Sequence, residues 1–218
     1  MSNIELKRMI CGVDEVGRGT LAGPVVASAV ILSANHKIEG LKDSKKLTST
    51  VRVKLSKIIQ KNALSIGIGI IDATIIDKIN IRQATFSSMH KSIAGVLKKM
   101  YDSNNHSKVF LLIDGTDFKP YKRMKDDNLV VYEHECVKGG DAQYSNIAAA
   151  SILAKVERDE YILDMCEKYP KLKEYYSLDS NKGYGAKIHL EGIKKYGITK
   201  WHRKSFGCCK TADIINIE

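Results

Sequence analysis

The chain has 218 residues, of which 44% are hydrophobic and 28% charged, a composition that supports a folded core and argues against a disordered protein. Its 35 basic and 25 acidic side chains give a formal net charge of +10, which favours an anionic partner such as nucleic acid. The segment MSNIELKRMICGV lacks a continuous apolar signal region, and no stretch is as long and apolar as a membrane span. We therefore expect a cytoplasmic protein without membrane contact.

The sequence favours a single domain. Low-complexity segments, internal repeats and Pro/Ser-rich linkers are absent from it, so we predict one domain over residues 1–218 and expect a monomer. The cysteines are odd in number and form no CxxC pair, which argues against both a disulfide framework and a zinc site. They are Cys11, Cys136, Cys166, Cys208 and Cys209.

Two strands and a helix are predicted in the first third of the chain. The strands cover residues 9–16 and 25–32, and the second is apolar almost throughout, as expected for a strand buried on both faces. Thr48 or Ser49 can cap the helix that follows. The apolar stripe of that helix consists of Val51, Leu55, Ile58 and Ile59.

The middle of the chain continues with a strand and a helix. A strand is predicted over residues 63–71, where Gly67 and Gly69 lie on one face and leave room for close packing. Asp72 begins a helical region that continues into a clearer helix. The apolar residues of that helix are Phe86, Met89, Ile93, Val96 and Met100.

The second half adds two strands and two helices. A strand over residues 108–113 ends at Asp114, a basic irregular connection covers residues 119–128, and a further strand covers residues 129–137. A long helix is predicted over residues 147–166, and Pro170 follows its end. Its apolar positions are Ile152, Val156, Leu163 and Cys166. A last, amphipathic helix is marked by Ala186, Leu190 and Ile193. This order predicts an α/β fold, a mixed sheet with helices on its faces.

Four acidic side chains lie at the ends of predicted elements. Asp14 and Glu15 end the first strand, Asp114 ends a later strand, and Asp141 lies at the start of the long helix. In an open α/β sheet, functional groups gather at strand ends and helix N-termini, so these carboxylates could converge. Mg²⁺ or Mn²⁺ would then neutralise them in an oxygen-only site, and two ions could support phosphodiester cleavage. Taken singly, the acids also suit a solvated turn, a turn before Gly115 and a helix cap.

Five sequence blocks carry a family resemblance. In chain order they are GVDEVGRGTLAGPVVASAVIL, LKDSKKLT, LLIDG, GGDAQYSNIAAASILAKVERD, and NKGYGAKIHLEGIKKYG followed by HRKSF. Together they resemble the motifs of ribonuclease HII, the type 2 ribonuclease H, from about Gly12 to Phe206. The type 3 enzyme usually carries an additional N-terminal domain, and the GDAQYSNIAAASILAKVERD block looks like type 2.

The resemblance implies a ribonuclease H-like fold, with a mixed five-stranded sheet and a helical, basic C-terminal region over about residues 170–218 that helps to bind substrate. It also implies that Asp14, Glu15, Asp114 and Asp141 hold Mg²⁺ or Mn²⁺. The implied activity is cleavage of RNA in RNA/DNA hybrids and on the 5′ side of single ribonucleotides in duplex DNA, leaving a 3′-hydroxyl and a 5′-phosphate. The implied role is ribonucleotide removal in DNA replication and repair.

Two loops read the ribonucleotide in this family. Gly17, Arg18 and Gly19 offer backbone groups that can approach a sugar closely, because two of the three lack side chains. The family's tyrosine is here Tyr184, whose ring can stack on the next sugar and whose hydroxyl can contact the 2′-hydroxyl, the group that distinguishes RNA from DNA. The alternative role for Tyr184 is that of an ordinary loop aromatic half packed on the core.

Six basic side chains are candidate phosphate contacts, although each also suits a solvated basic face. They are Lys45, Lys46, Lys182, Lys187, Arg203 and Lys204. Lys45 and Lys46 are favoured because their loop matches the family's DSKKL segment. His189 and His202 also lie in matching blocks, but a histidine on an amphipathic helix is usually structural, so we assign neither a catalytic role.

The chain departs from the family pattern at three places. Thr20 stands where the family usually has proline, which removes a φ restraint from the loop but keeps both of its glycines. The connection over residues 116–138 is longer than in many relatives, and GGD replaces a more common GD, which weakens the match at Asp141. The tail after Phe206 matches no family motif and contains no aromatic clamp-binding peptide.

Two other functions remain open at this stage. A different nuclease of the same fold, such as a resolvase or transposase core, also uses clustered acids, but it does not account for the GRG loop and Tyr184. A non-catalytic nucleic-acid-binding module explains the net charge of +10 but not the four acids at element ends.

Overall fold

The fold consists of seven strands and six α-helices among the residues that the computed structural model describes, which are 8–41, 47–103, 105, 107–125 and 127–217. The strands are β1 Met9–Val16, β2 Val25–Leu32, β3 Ala63–Ile71, β4 Val109–Asp114, β5 Lys122–Lys125, β6 Asn128–Val131 and β7 His134–Val137. The helices are α1 Ser49–Asn62, α2 Ala73–Asp102, α3 Ser145–Lys168, α4 Lys171–Tyr176, α5 Leu178–Asn181 and α6 Lys187–Tyr196.

Five of the strands form the central sheet, in the order β3-β2-β1-β4-β7. β1 pairs antiparallel with β2 and parallel with β4, while β3 pairs antiparallel with β2 and β7 parallel with β4. The predicted mixed five-stranded sheet is thereby confirmed. β5 and β6 form a separate antiparallel pair outside this sheet.

The segment before β7 corrects one prediction. The single strand expected over residues 129–137 is wrong, because β6 ends at Val131 and β7 begins at His134, and the two pair with different partners. β5 lies inside the connection that was expected to be irregular. Asp127 adopts a left-handed φ of 60°, which suits a tight turn between β5 and β6. Because β6 pairs with β5 across this local turn, it does not join the central sheet.

Glycines allow helices to pack closely on both faces of the sheet. A Cβ atom on Gly67 would lie 1.9 Å from the carbonyl oxygen of Ser92 in α2. A Cβ atom on Gly12 would lie 2.2 Å from the backbone of Asn146 in α3. Only glycine fits at either position, which confirms the close packing expected at Gly67 and places α2 and α3 on the two faces of the sheet.

α2 is divided into two helical parts at Asn80. This residue has φ 64° and ψ 162°, which interrupts the helical backbone. Its side-chain oxygen accepts a hydrogen bond from the N–H of Gln83 at 3.1 Å, and Asp72 caps the first part by accepting from Ile75 at 2.9 Å. The expected helical region after Asp72 and the clearer helix beyond it are both present.

The buried stripes of three helices are narrower than the sequence predicts. Val51 and Ile58 of α1, Leu163 of α3 and Leu190 of α6 all expose about two-fifths of their surface. Leu55 and Ile59 of α1 are buried, because α1 contacts the rest of the fold along one narrow edge. Apolar spacing alone therefore overestimates how much of a peripheral helix is covered.

The chain after α3 forms a helical region, as predicted, although α4 and α5 were not individually predicted. It packs around a cluster of buried apolar side chains that includes Ile162, Leu172, Tyr176, Leu178, Ile193 and Ile198. No helix in the described ranges is long and apolar enough to cross a membrane.

His189 and His202 form a buried pair in this region, with their Nε2 atoms 3.1 Å apart. His189 Nδ1 lies 2.8 Å from the carbonyl oxygen of Tyr184, so it carries a proton and donates. His189 Nε2 must then accept from His202 Nε2, while His202 Nδ1 accepts from the N–H of Thr199 at 3.1 Å. This arrangement satisfies both rings in their neutral forms, which supports the structural role expected for them.

We predict that acidification destabilises the protein through this pair. Burial lowers the pKa of both rings, that of His202 to about 3, so the unfolded chain binds more protons below its pKa of about 6.5. Stability is therefore lost as pH falls below about 6.5, by about 1.4 kcal/mol at pH 5.5 from His202, and His189 contributes in the same direction. Urea unfolding at pH 7.5 and pH 5.5 measures this, and His202→Gln should reduce the pH dependence while His36→Gln leaves it unchanged. Equal pH dependence in the wild type and His202→Gln would contradict it.

Candidate active site

Asp14 and Asp114 lie side by side at the carboxyl ends of two neighbouring parallel strands. The register of β1 and β4 pairs Val13 with Ile113, so the next residue on each strand comes level with the other. Alternate residues of a strand share a face, which places both carboxylates on the face of Gly12, where α3 packs. The parallel pairing alone therefore brings together two acids that are 100 positions apart.

Asp14 shares its surroundings with two other carboxylates. The pKa of Asp14 lies well above its ordinary value, mainly because the group is buried and further because Glu15 and Asp114 repel its charge. A hydrogen bond from Ser151, and one of 2.7 Å from the N–H of Glu15, partly offset this. The pKa of Glu15 is also raised by burial, although Arg18 Nη1, 3.3 Å from its Oε1, opposes the shift.

Asp114 is held by the turn that leads to α3. Its Oδ1 accepts a hydrogen bond of 2.7 Å from the N–H of Gly140. A Cβ atom on Gly140 would lie 2.5 Å from Ile147 Cδ1, so a larger residue there would have to displace the end of the Ile147 side chain. Asp141 follows directly and is buried in a short 3-10 turn, Gly140–Ala142, rather than in α3, which begins at Ser145. The expectation that Asp141 lies at the start of the long helix is therefore wrong, because Asp141 lies in the separate turn just before it.

A cleft of about 500 Å³ opens beside the carboxylates. Glu15 and Asp114 line one side of it, and α2 supplies the opposite wall. On that wall Arg82 Nε lies 2.6 Å from Asp117 Oδ2, while Arg18 and Lys138 add positive charge at the rim. The cleft is thus lined by both acidic and basic side chains, a combination that suits an anionic substrate accompanied by a cation.

The donor set fits a magnesium-type ion that substrate helps to bind. Within the described residues, no group of three or more acidic, histidine or cysteine side chains could hold an ion by itself. Mg²⁺ is typically bound by one or two carboxylates, several waters and phosphate oxygens, which requires no closed protein cage. Asp14 and Glu15 offer carboxylate oxygens whose charged forms burial disfavours, and Asp114 offers a further carboxylate beside them.

Two buried arginines hold the loop between β1 and β2. Arg203 donates to the carbonyl oxygens of Gly17, Arg18 and Gly23 at 2.6–3.1 Å and is fully buried. The expectation that Arg203 contacts phosphate is therefore wrong, because its guanidinium is occupied inside the fold. Arg158 of α3, 1% exposed, lies against the same loop, and a Cβ atom on Gly17 would lie 2.2 Å from its Nε.

Tyr184 lies next to this loop. The carbonyl oxygen of the preceding residue, Gly183, accepts a hydrogen bond of 2.8 Å from the N–H of Leu21. The tyrosine ring is 48% exposed, with the Arg158 guanidinium 5.9 Å from its centre. The structure therefore brings Tyr184 and the Gly17–Gly19 segment to the same side of the molecule, with an open aromatic face.

Comparisons with known proteins identify the family. Residues 11–209 match the family model for Ribonuclease HII. The Ribonuclease HII of Acetivibrio thermocellus is 47% identical over 199 residues, which cover 91% of this chain and 70% of that protein. The chain belongs to the ribonuclease HII family. It is accordingly a type 2 ribonuclease H, an endoribonuclease.

Solved structures agree with this fold. The crystal structure of ribonuclease H2 from Pyrococcus horikoshii OT3 superposes with a TM-score of 0.63 at 25% identity, covering 93% of this chain and 95% of that one. Bst-RNase HIII in complex with Mn²⁺ superposes with a TM-score of 0.57 at 22% identity, covering 88% and 64%. These similarities confirm the ribonuclease H-like fold.

The remaining basic residues expected of the ribonuclease HII family are placed in different ways. Lys45 and Lys46 lie outside the described residues. Lys182 donates from its Nζ to the carbonyl oxygen of Asp179, and the exposed Lys187 lies 3.8 Å from Glu191. Lys204 is exposed, and its backbone N–H donates to Asp77 Oδ2 of α2 at 2.8 Å. These contacts leave Lys187 and Lys204 free to reach solvent.

Sequence reasoning missed Ser151 and Arg158, two residues of α3 that face the site. Both lie inside a block that matches the ribonuclease HII motifs, but neither was singled out. A signal was present for Arg158, because Ala154 and Ile162 lie four residues before and after it, so it falls on the buried face of the helix. A charged side chain on a buried helix face indicates a specific partner.

We predict that Asp14→Asn stabilises this ribonuclease HII in metal-free buffer. The substitution replaces a buried carboxyl group whose raised pKa shows that folding disfavours its charged form. The free energy of unfolding, measured with urea at pH 7.5, should therefore increase. Asp117→Asn, in an exposed ion pair, serves as the control and should change stability by less than about 1 kcal/mol. A destabilised Asp14→Asn would contradict the proposed repulsion.

Proposed function

We propose that this ribonuclease HII uses Mg²⁺ or Mn²⁺ to cut RNA in RNA/DNA hybrids and duplex DNA on the 5′ side of a single ribonucleotide, leaving a 3′-hydroxyl and a 5′-phosphate. The carrying observation is the group formed by buried Asp14 with the partly buried Glu15 and Asp114, beside an open cleft. Like-charged groups held out of water need a cation, and a phosphodiester strand brings the remaining oxygen ligands.

The proposed mechanism assigns separate tasks to the chain's own residues. Asp14 and Asp114 would hold the cation, Glu15 would complete its ligands from the opposite side of β1, and Asp141 would approach from the turn after Gly140. When bound, the cation polarises the scissile phosphate and lowers the pKa of a water. Ser151 and the N–H of Gly140 fix the orientation of the two aspartates, so that little reorganisation accompanies the reaction.

Discrimination of RNA from DNA is proposed to occur at the neighbouring loop. Arg18 and Gly19 are exposed, and open space surrounds the Cα of Gly19, so a sugar can approach the backbone there. The open ring of Tyr184 supports stacking on the next sugar, with its hydroxyl near the 2′-hydroxyl. Lys45, Lys46, Lys182, Lys187 and Lys204 are proposed as phosphate contacts along the duplex.

The biological role proposed is the removal of ribonucleotides from DNA during replication and repair. The net charge of +10 supports a nucleic-acid duplex as the partner. Family membership argues against a resolvase or transposase core, and the buried carboxylates argue against a purely basic binding module.

The decisive prediction concerns a DNA duplex that contains one ribonucleotide. With Mg²⁺ or Mn²⁺ the protein should nick this duplex and spare the matched all-DNA duplex, because only the first offers a 2′-hydroxyl. End-labelled strands on a denaturing gel give the cut position and the end chemistry. Asp114→Asn should bind the duplex and fail to cut it, which controls for a contaminating nuclease. Equal cutting of both duplexes would favour another nuclease, and no cutting would favour a binding module.

A second prediction concerns Tyr184. Tyr184→Ala removes the stacking ring and should lower kcat/KM on the single-ribonucleotide duplex by roughly 10-fold, taking as a guide the value of about 1–3 kcal/mol measured for aromatic stacking on a base. Because the ring is half exposed, the unfolding midpoint should change little. Tyr184→Phe keeps the ring and isolates the contribution of the hydroxyl. An unchanged cleavage preference in Tyr184→Ala would remove the proposed role of this residue.

A further inference from the structure

The loop between β1 and β2 turns its carbonyl groups inward, towards Arg203. The guanidinium donates from Nη2 to the carbonyl oxygen of Gly17 at 2.6 Å and from Nη1 to that of Arg18 at 2.9 Å. It also donates to the carbonyl oxygen of Gly23 from Nε and Nη2, at 3.1 and 3.0 Å. One side chain therefore fixes the peptide planes at both ends of the loop.

Inward carbonyls require outward N–H groups. In a planar trans peptide the C=O and the following N–H point in opposite directions. The carbonyls of Gly17 and Arg18 face Arg203, so the N–H groups of Arg18 and Gly19 face away from it, towards solvent. Both residues are exposed, and neither N–H has an acceptor among the residues that the structure describes. Two adjacent donors are thus presented at the surface beside the cleft.

Arg158 and Thr20 hold the rest of the loop. Arg158 donates to the carbonyl oxygens of Ala22 and Pro24 at 3.0 and 2.9 Å, and to that of Lys182, in the Tyr184 loop, at 2.8 Å. Its Nη2 also donates to Thr20 Oγ1 at 3.0 Å, and this buried hydroxyl in turn donates to the carbonyl oxygen of Gly17 at 3.2 Å. From the sequence, Thr20 in place of proline is expected to loosen the loop. In the structure, the Thr20 hydroxyl instead links the two sides of the loop through its hydrogen bonds.

Burying two guanidinium groups costs free energy, which indicates that they do more than fill the core. Both guanidiniums are buried, and neither forms an ion pair with a carboxylate in the described part of the chain. Two buried cations that contact no carboxylate directly are expensive, and apolar side chains of similar size would cost less free energy. The guanidinium groups fix the orientation of the loop backbone, because the planar fork of N–H donors on each one binds several carbonyl oxygens at once.

We propose that Arg203, Arg158 and Thr20 are positioning residues, which aim the N–H groups of Arg18 and Gly19 at the ribose of the substrate and hold the Tyr184 loop in register with them. This inference rests on the proposed function of the same site. The three side chains do not touch substrate, and they act through the loop backbone.

Variants at Thr20 test this with little change in shape. Thr20→Val keeps the volume and removes the hydroxyl, so the loop should lose its cross-link. Turnover at saturating single-ribonucleotide duplex should fall on the order of 10-fold per folded molecule, because small misplacements at a reacting centre are costly. Thr20→Ser retains the hydroxyl and should restore turnover to within about twofold of the wild type. Arg203→Lys, which replaces the fork with a single ammonium, should lose on the order of 100-fold.

A matched control separates positioning from stability. Ser65→Ala removes a buried hydrogen bond, of 3.1 Å to the carbonyl oxygen of Val96, between β3 and α2 and far from the loop. It should lower the urea midpoint without lowering turnover of the folded protein. All variants should bind the all-DNA duplex within about twofold of the wild type, because phosphate contacts dominate that affinity.

The outcomes distinguish the two proposals. Reduced turnover in Thr20→Val and Arg203→Lys, with recovery in Thr20→Ser, supports positioning. If both variants lose stability but turn over like the wild type, as Ser65→Ala should, the positioning inference is overturned while the proposed function stands. If the wild type itself does not nick the ribonucleotide duplex, the proposed function fails and the positioning inference fails with it.

Discussion

The parallel pairing of β1 with β4 is the constraint on which the rest of this structure depends. It places Asp14 level with Asp114 and directs both side chains to the face on which α3 packs. Ser151 forms a hydrogen bond with Asp14, and the N–H of Gly140 donates one to Asp114. The fully buried apolar residues just before them on each strand stabilise this pairing. The packing of the core in this register therefore places the two carboxylates side by side despite their repulsion.

Charges of opposite sign are kept apart at this edge of the sheet. The carboxylates lie at the strand ends, while Arg158 and Arg203 lie beneath the neighbouring loop, bonded to neutral carbonyls instead of to the acids. Burial and the nearby Arg158 lower the pKa of Arg203 to about 9, so it stays charged at neutral pH. This separation fits the proposed cation at the carboxylates and the proposed anionic strand at the loop.

Local patterns predicted much of the fold and part of the site. Apolar runs gave β1, β2 and β3 with their observed bounds, and acids at strand ends gave Asp14 and Asp114. Long-range hydrogen bonds could not be predicted in this way. Arg203 bonds to Gly23 across 180 positions, and nothing in the basic tail distinguishes it from an exposed phosphate contact. The segment divides into β6 and β7 because β6 pairs with β5 whereas β7 pairs with β4. The apolar pattern of the segment does not specify these pairing partners.

The location of a bound metal tests the central claim most directly. Crystals grown or soaked with Mn²⁺ give an anomalous difference map that needs no assumption about activity. The account predicts a peak between the carboxylates of Asp14 and Asp114, within coordination distance of at least one oxygen of each. A peak at another site, or none there when a ribonucleotide-containing duplex is also bound, would contradict it.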